Sequence, residues 1–291
     1  MKRPEVISHI TAMQQASRER RKTGTLGLVP TMGALHEGHL SLVRSARKAC
    51  DTVVVSIFVN PTQFGPNEDF ARYPRNLEAD LTLLEAEDVD IVFAPSAAEM
   101  YPTRSSGTFV EVPAISDRLD GAYRPGHFRG VATVVAKLFN IVGPDLAFFG
   151  QKDAAQVAVL RAMVRDLNLP LEIVVCPTVR EPDGLAMSSR NRYLTPSERV
   201  QSLALHGALS VAREQTQRGI CSGQKLRETM LAELQKVPEA CIEYVEIVDP
   251  ETLEPVEDVC ACALLAVAAR VGTTRLIDNL IVRPDVGRSC E

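Results

Sequence analysis

The chain has 291 residues, 45% of them apolar and 24% charged, with a formal net charge of −5 and a sequence pI of about 5.7, a balance that fits a globular protein long enough for two domains. An acidic chain without a long basic patch excludes a generic nucleic-acid footprint, so an anionic ligand has to be met by a local cluster of donors. There is no apolar run of about 18 residues, and the start (Met1 to Pro4) lacks the apolar segment of a secretory signal, so the expectation is a cytoplasmic protein with no membrane contact.

Residues 4–21 carry a polar helical pattern. Thr25–Pro30 is a short apolar run, expected as a buried strand. A turn bearing glycine and histidine follows, then a helical pattern from about Gly38 to Cys50. Thr52–Val59 is continuous and β-branched, as a central parallel strand buried on both faces should be. Asn60–Arg75 is rich in Pro, Asn and Gly and reads as a long structureless loop, a length typical of lids. The alternation continues with a helix over Leu77–Glu87, a strand over Val89–Ala94, a short extended piece at Phe109–Val112 and a helix over Val131–Val142. A strand at Asp145–Phe149, a helix over Ala154–Leu167 and a strand at Leu171–Cys176 close the series. Alternating strands and helices predict an α/β, doubly wound (Rossmann-like) parallel sheet over residues 1–180. Beyond it, helices near Pro196–Arg218 and Ser222–Gln235 precede extended runs at Ile242–Val248 and Leu264–Ala269, which predicts a smaller α+β C-terminal lid domain over 181–291.

The seven cysteines (Cys50, Cys176, Cys221, Cys241, Cys260, Cys262 and Cys290) have no C-x-x-C spacing and read as reduced packing residues. Cys260 and Cys262 would share a strand face, but no histidine lies nearby, so they are not read as a metal site.

The segment Met32-Gly33-Ala34-Leu35-His36-Glu37-Gly38-His39 leaves a strand and opens a helix. Unpaired backbone N–H groups and the helix dipole favour a phosphate there, and the glycines permit close approach of a ligand. His36 and His39, three apart, share a face and can donate to a polyphosphate as charge builds in a transition state. A zinc protease would need four-residue spacing, and no P-loop or G-x-G-x-x-G opens the first β-α unit. Asn60 and Gln63 lie just past a central strand, where open α/β sheets bind ligands; their amides suit a hydroxy acid, though a turn Asn and a solvated Gln would look the same. Lys152 is a point charge suited to phosphate. Asp153 could act through Mg²⁺, accept from a ribose hydroxyl, or cap a helix. On composition alone Met187, Ser188, Ser189 and Arg190 are a polar linker. His127 and Arg129, after Pro125-Gly126, could contact ligand or support the site.

Pro30 to His39 resembles the first signature of the pantothenate synthetase family, whose members share a "HIGH" motif with class I aminoacyl-tRNA synthetases. Phe58 to Phe64, Ala71 to Arg75, Arg124 to Val131, Phe149 to Asp153 with Gln156, and Met187 to Asn191 match further family segments in order. The resemblance is strong over about residues 25–200. It implies ATP-dependent condensation of pantoate with β-alanine through a pantoyl-adenylate, with AMP and pyrophosphate released. It implies that ATP is held by Met32 to His39, Gly150, Gln151, Lys152, Asp153, backbone near Val179, and Met187 to Arg190, the last wrapping the β- and γ-phosphates. Asn60, Gln63 and Gln156 would meet pantoate, and Gln63 β-alanine. His36, His39, Lys152, Ser188, Ser189 and Arg190 would stabilise the transferring phosphate, with Mg²⁺ on Asp153. A homodimer formed through the N-terminal domain is implied as well. One departure is Ala155-Gln156, where two glutamines are common. The rival readings are another HIGH-motif nucleotidyltransferase and a non-catalytic adenine-nucleotide module.

Overall fold

The computed structural model describes residues 3–66, 68–102, 107–237, 239–259 and 261–283. Asn67 of the long loop, Cys260 and Cys290 lie outside the described residues, as does any account of the Cys260–Cys262 strand face. Contacts group the chain into two compact units: Met1–Ser116, Arg124–Gly150 and Val159–Pro177 form one, and Asp117–Tyr123, Gln151–Ala158 and Thr178–Glu291 the other. The division is interleaved where a single cut at 180 was expected, because Gln151–Ala158 groups with the C-terminal part of the chain.

The first unit holds a six-stranded parallel sheet, in the order β1 (Glu5–Ile7), β4 (Ile91–Phe93), β3 (Thr52–Ile57), β2 (Leu26–Thr31), β5 (Leu146–Gly150), β6 (Glu172–Cys176). The doubly wound expectation is met. Strand β1 takes the place of the first turn of the expected N-terminal helix; that helix, α1, begins only at Ile10 and runs to Arg21. Phe109–Val112 is not a strand, and Val110 N–H donates instead to Thr133 Oγ1 at 3.0 Å. The helices are α2 (Glu37–Ala49), α3 (Leu77–Ala86), the one-turn α4 (Ala97–Met100) and α5 (Pro113–Ser116), and α7 (His127–Val142); α8 (Ala154–Asp166) starts in residues grouped with the other unit.

The core follows the sequence pattern. Val53, Val55 and Val29 on the strands pack with Leu42, Val43 and Ala46 of α2 and with Leu81 and Leu84 of α3. Truncating a fully buried residue such as Leu84 to Ala should cost about 2–5 kcal/mol. Strand order reverses between β2 and β5, the place where such sheets bind ligands. Pro30 sits in β2 at this point. Leu26 O accepts from Asp145 N–H on the β5 side and Thr31 O from Phe58 N–H on the β3 side, so alternation turns the Pro30 nitrogen towards β5. The β2–β5 ladder reaches only Gly27 and Leu28, so no donor is missed there, and the two strands part just where the chain enters the histidine turn.

The second unit is a three-stranded antiparallel sheet, β7 (Ala240–Val248), β8 (Ala263–Val271) and β9 (Thr274–Val282), with helices α6 (Asp120–Tyr123), α9 (Pro196–Gln217) and α10 (Gly223–Leu234). Thr195 caps α9 in a reciprocal box with Glu198, with Pro196 in the first turn. Leu205, Leu209, Leu226 and Met230 of the helices bury against Val245, Leu265 and Val267. Among the described residues no helix is long and apolar enough to cross a membrane.

Candidate nucleotide and acid site

In the first unit the chain leaves β2 through two successive left-handed residues, Gly33 (φ +80°) and Ala34 (φ +52°). The latter is unusual for a residue with a Cβ and is held against a conformational cost of roughly 1–3 kcal/mol. The backbone amides are occupied internally. Gly33 N–H donates to Thr31 Oγ1 (3.2 Å), Ala34 N–H to Asp80 Oδ2 (3.0 Å), Leu35 N–H to Asp80 Oδ1 (2.8 Å), His36 N–H to His39 Nδ1 (3.3 Å) and Gly38 N–H to His36 Nδ1 (3.2 Å). The expected cradle of unpaired N–H groups is therefore corrected. The Gly33, His36 and Gly38 amides are met within the turn, and those of Ala34 and Leu35 by Asp80 of α3.

What the turn presents instead is imidazole. His36 is the N-cap of α2 and His39 its third residue, and their side chains cap the helix reciprocally. A backbone N–H can only donate, so each Nδ1 is an acceptor and the proton of each neutral ring sits on Nε2. The rings lie 4.1 Å apart, centroid to centroid. Helix capping thus fixes both histidines as Nε2–H donors.

Asn60 and Gln63 follow β3. Asn60 is 1% exposed. Its Nδ2 donates to Gln63 Oε1 and to Gly130 O, both at 3.1 Å. Its Oδ1 accepts from Thr62 N–H (3.3 Å), Thr62 Oγ1 (3.0 Å) and Tyr101 OH (2.9 Å). These bonds occupy both ends of the carboxamide, and the one to Gln63 Oε1 orients the glutamine amide. With its oxygen engaged, Gln63 has Nε2 as its donor end, 3.2 Å from Met32 Sδ. Gly130 allows α7 to touch this turn: a Cβ there would stand 2.4 Å from Thr62 O and 2.7 Å from Gln63 Cα.

Among its described residues, the loop from Asn60 to Arg75 is braced, not structureless. It contains 3-10 turns at Pro61–Gln63 and Asp69–Ala71, and Phe64 packs on Phe70 and Tyr73 while Arg75 lies over Phe70. Arg124 grips Glu68 through two 2.7 Å hydrogen bonds and donates to His127 Nε2 (2.9 Å), so His127 Nδ1–H donates to Gln63 O (2.8 Å). Burial opposes ionisation of Glu68, but the hydrogen bonds and charge of Arg124 outweigh it and hold the carboxyl below its ordinary range. His127 is a strut of the loop; Arg129 is exposed and stacks on Phe109. A cavity of about 280 Å³ lies nearby, walled by Met32, Phe58, Phe70 and Leu77 with Arg75, Asn76 and Asp80 as polar groups. None of His36, His39 and Gln63 lines it.

The remaining expected residues belong to the second unit, apart from Gly150 at the end of β5. Gln151–Asp153 is a 3-10 turn held from β9: Asn279 Nδ2 donates to Gln151 O (3.1 Å) and Lys152 O (2.8 Å), and Gln151 Nε2 donates back to Asn279 Oδ1 (3.1 Å). The Gln151 side chain is thereby engaged. Lys152 Nζ is 3.9 Å from Asp153 Oδ1, with Asp153 half exposed, and Gln156 is half-buried beside a buried Ala155. Val179 O accepts from Met187 N–H (2.9 Å), closing a small loop. Arg180 pins that loop by pairing with buried Asp278 (2.7 and 3.0 Å), and Asn191 Nδ2 pins it by donating to Glu181 (2.6 Å) and to Ala186 O (3.1 Å). Ser188 Oγ accepts from Arg190 N–H (3.2 Å) and caps the 3-10 helix Ser189–Tyr193, so the two serines and Arg190 stand at its start. Asp80, Glu68, Asp278 and Asn279 carry no signal in the sequence: each acts on a partner far along the chain, which no local pattern marks.

Residues 5–281 match the family model described as pantoate-β-alanine ligase. A protein of Acidobacterium capsulatum named pantothenate synthetase is 58% identical over 291 residues, covering 97% of each chain. The protein of that name from Thermotoga neapolitana is 60% identical over 278 residues, covering 95% of this chain and 99% of its own. The crystal structure of pantothenate synthetase from Thermus thermophilus superposes with a TM-score of 0.91 at 48% identity, covering 96% of this chain and all of that one. A pantoate-β-alanine ligase from Francisella tularensis, solved with "beta-gamma ATP" and β-alanine, superposes at 0.78 with 34% identity, covering 96% and 97%.

Proposed function

The chain belongs to the pantoate-β-alanine ligase family, and on that premise we propose that it condenses pantoate with β-alanine, using ATP, through a pantoyl-adenylate. A free carboxylate is a poor acyl donor at neutral pH because oxide is a poor leaving group. Attack of the pantoate carboxylate on the α-phosphorus makes the anhydride and expels pyrophosphate. The amine of β-alanine then attacks the acyl carbon, AMP leaves, and the amine loses a proton. Neither step needs a covalent enzyme nucleophile; both need alignment and donors for developing charge.

The observation that carries this reading is the capped histidine pair, whose geometry makes two neutral Nε2–H donors. In this reading His36 and His39 donate to the phosphates of ATP, together with Lys152, Ser188, Ser189 and Arg190. Gln63 donates through Nε2 to pantoate and later to the β-alanine carboxylate, Gln156 meets pantoate, and backbone at Val179 and Met187 faces the adenine. Asn60 acts through Gln63. Among the described residues no three acidic, histidine or cysteine side chains converge as a metal cage. The single half-exposed carboxylate of Asp153 fits a Mg²⁺ that arrives on the nucleotide, where the ion would neutralise phosphate charge. The family resemblance further supports a homodimer, to be measured by sedimentation, and the cytoplasmic location expected from the sequence is to be measured by fractionation.

The test is coupled detection of AMP with pantoate and β-alanine varied separately. AMP formation that depends on both acids supports the reading; turnover with neither, or with a different acid in place of pantoate, overturns it.

A further inference from the structure

Asp80 is 4% exposed and lies in the first turn of α3, whose N-cap is Asn76. Both carboxylate oxygens are used on the histidine turn, Oδ2 by Ala34 N–H at 3.0 Å and Oδ1 by Leu35 N–H at 2.8 Å. The fit is close: a Cβ at Gly33 would lie 2.9 Å from Asp80 Oδ2. The bonds are therefore made to the left-handed residue itself and to the one after it, immediately before His36. Both amides are committed to this one carboxylate, and an L-residue such as Ala34 leaves the left-handed region readily unless held.

We propose that Asp80 is a positioning residue for adenylation: its carboxylate holds Ala34 left-handed and so sets the direction in which His36 and His39 present Nε2–H. The inference rests on the functional reading above. It adds a second consequence. Helix α3 follows the braced loop 60–75 without a break, so the same carboxylate ties the trailing end of that loop to the histidine turn. It also excludes the Ala34 and Leu35 amides as phosphate donors, since both point at Asp80.

The test is Asp80→Asn, which keeps the shape but turns one acceptor into a donor facing an N–H. Pantoate-dependent ATP–pyrophosphate exchange should lose roughly 10- to 100-fold in kcat, as for a small misplacement of catalytic groups. The KM for pantoate should stay within about twofold, since Gln63 is held separately through Asn60. Imidazole ¹⁵N spectra should show His36 and His39 leaving the single Nε2–H tautomer. Exchange within about twofold of wild type in a folded Asp80→Asn protein overturns the proposal, as does lost activity with both tautomers unchanged. Should the variant not fold, the wild-type protein decides. The amide signals of Ala34 and Leu35 should be protected from hydrogen exchange and insensitive to an ATP analogue, and large shifts of both on binding would show that they serve the nucleotide. Absence of exchange in the wild type would instead refute the functional reading.

Discussion

Asn60 Nδ2 donates to Gln63 Oε1 at 3.1 Å, so the orientation of the glutamine amide is decided by a buried residue three positions before it. The pair behaves as one device. Asn60→Ala should raise the KM for pantoate by about tenfold, the scale of one hydrogen bond to a charged group. Gln63→Ala should cost a similar amount, and the double variant little more than either. A double-mutant cycle checks this, and fully additive losses would separate the two residues.

Gly130 lets α7 approach the Asn60–Gln63 turn closely. Gly130→Ala places a methyl group 2.4 Å from Thr62 O, which is backbone and cannot move aside alone. Expected are a stability loss of roughly 1–3 kcal/mol from overpacking and a raised KM for pantoate with the KM for ATP nearly unchanged. Thermal melting and steady-state kinetics measure both.

The grip of Arg124 on Glu68 holds the loop 60–75. The Glu68 carboxyl is held below its ordinary value, so the latch is fully formed above about pH 4.3, the unperturbed value, and is lost as pH falls through the lowered one. At neutral pH the variant Glu68→Gln removes the charge without acid. More AMP should then be released per pantothenate formed, as water reaches the adenylate. Unchanged coupling would show that the loop stays shut without this pair.

His206 in α9 titrates below the ordinary histidine value, chiefly through burial and then the nearby Arg180 charge. The unfolded chain therefore takes up the proton more readily, and stability falls as pH drops below about 6.5. Denaturant titrations on either side of that value, at about pH 8 and about pH 5.5, should show this loss, and His206→Gln should reduce the difference.

The sheet was legible because β2, β3 and β5 are continuous apolar runs and the intervening helices keep their period. Strand β9 was not legible. Its Asp278 and Asn279 are 3% and 4% exposed, and they break the apolar pattern because they bind Arg180 and the Gln151–Lys152 backbone, 98 and 127 residues away. Strand β1 has only three residues behind Pro4, too few for a pattern. In the candidate site, residue type, order and the family resemblance marked the histidines, Gln63, Lys152 and Arg190 as candidates. Which nitrogen donates, and that Asn60 faces inward, depended on hydrogen bonds to backbone that a sequence does not display.

In the proposed reaction a capped histidine pair drives formation of an acyl-adenylate before the amine takes part. Its most direct test is ATP–pyrophosphate exchange with pantoate present and β-alanine absent, in wild type and His36→Ala. Robust exchange in the wild type, falling by roughly 10²–10³ in a folded His36→Ala protein, is the expected result. Exchange that requires β-alanine, or that survives His36→Ala nearly intact, would contradict it.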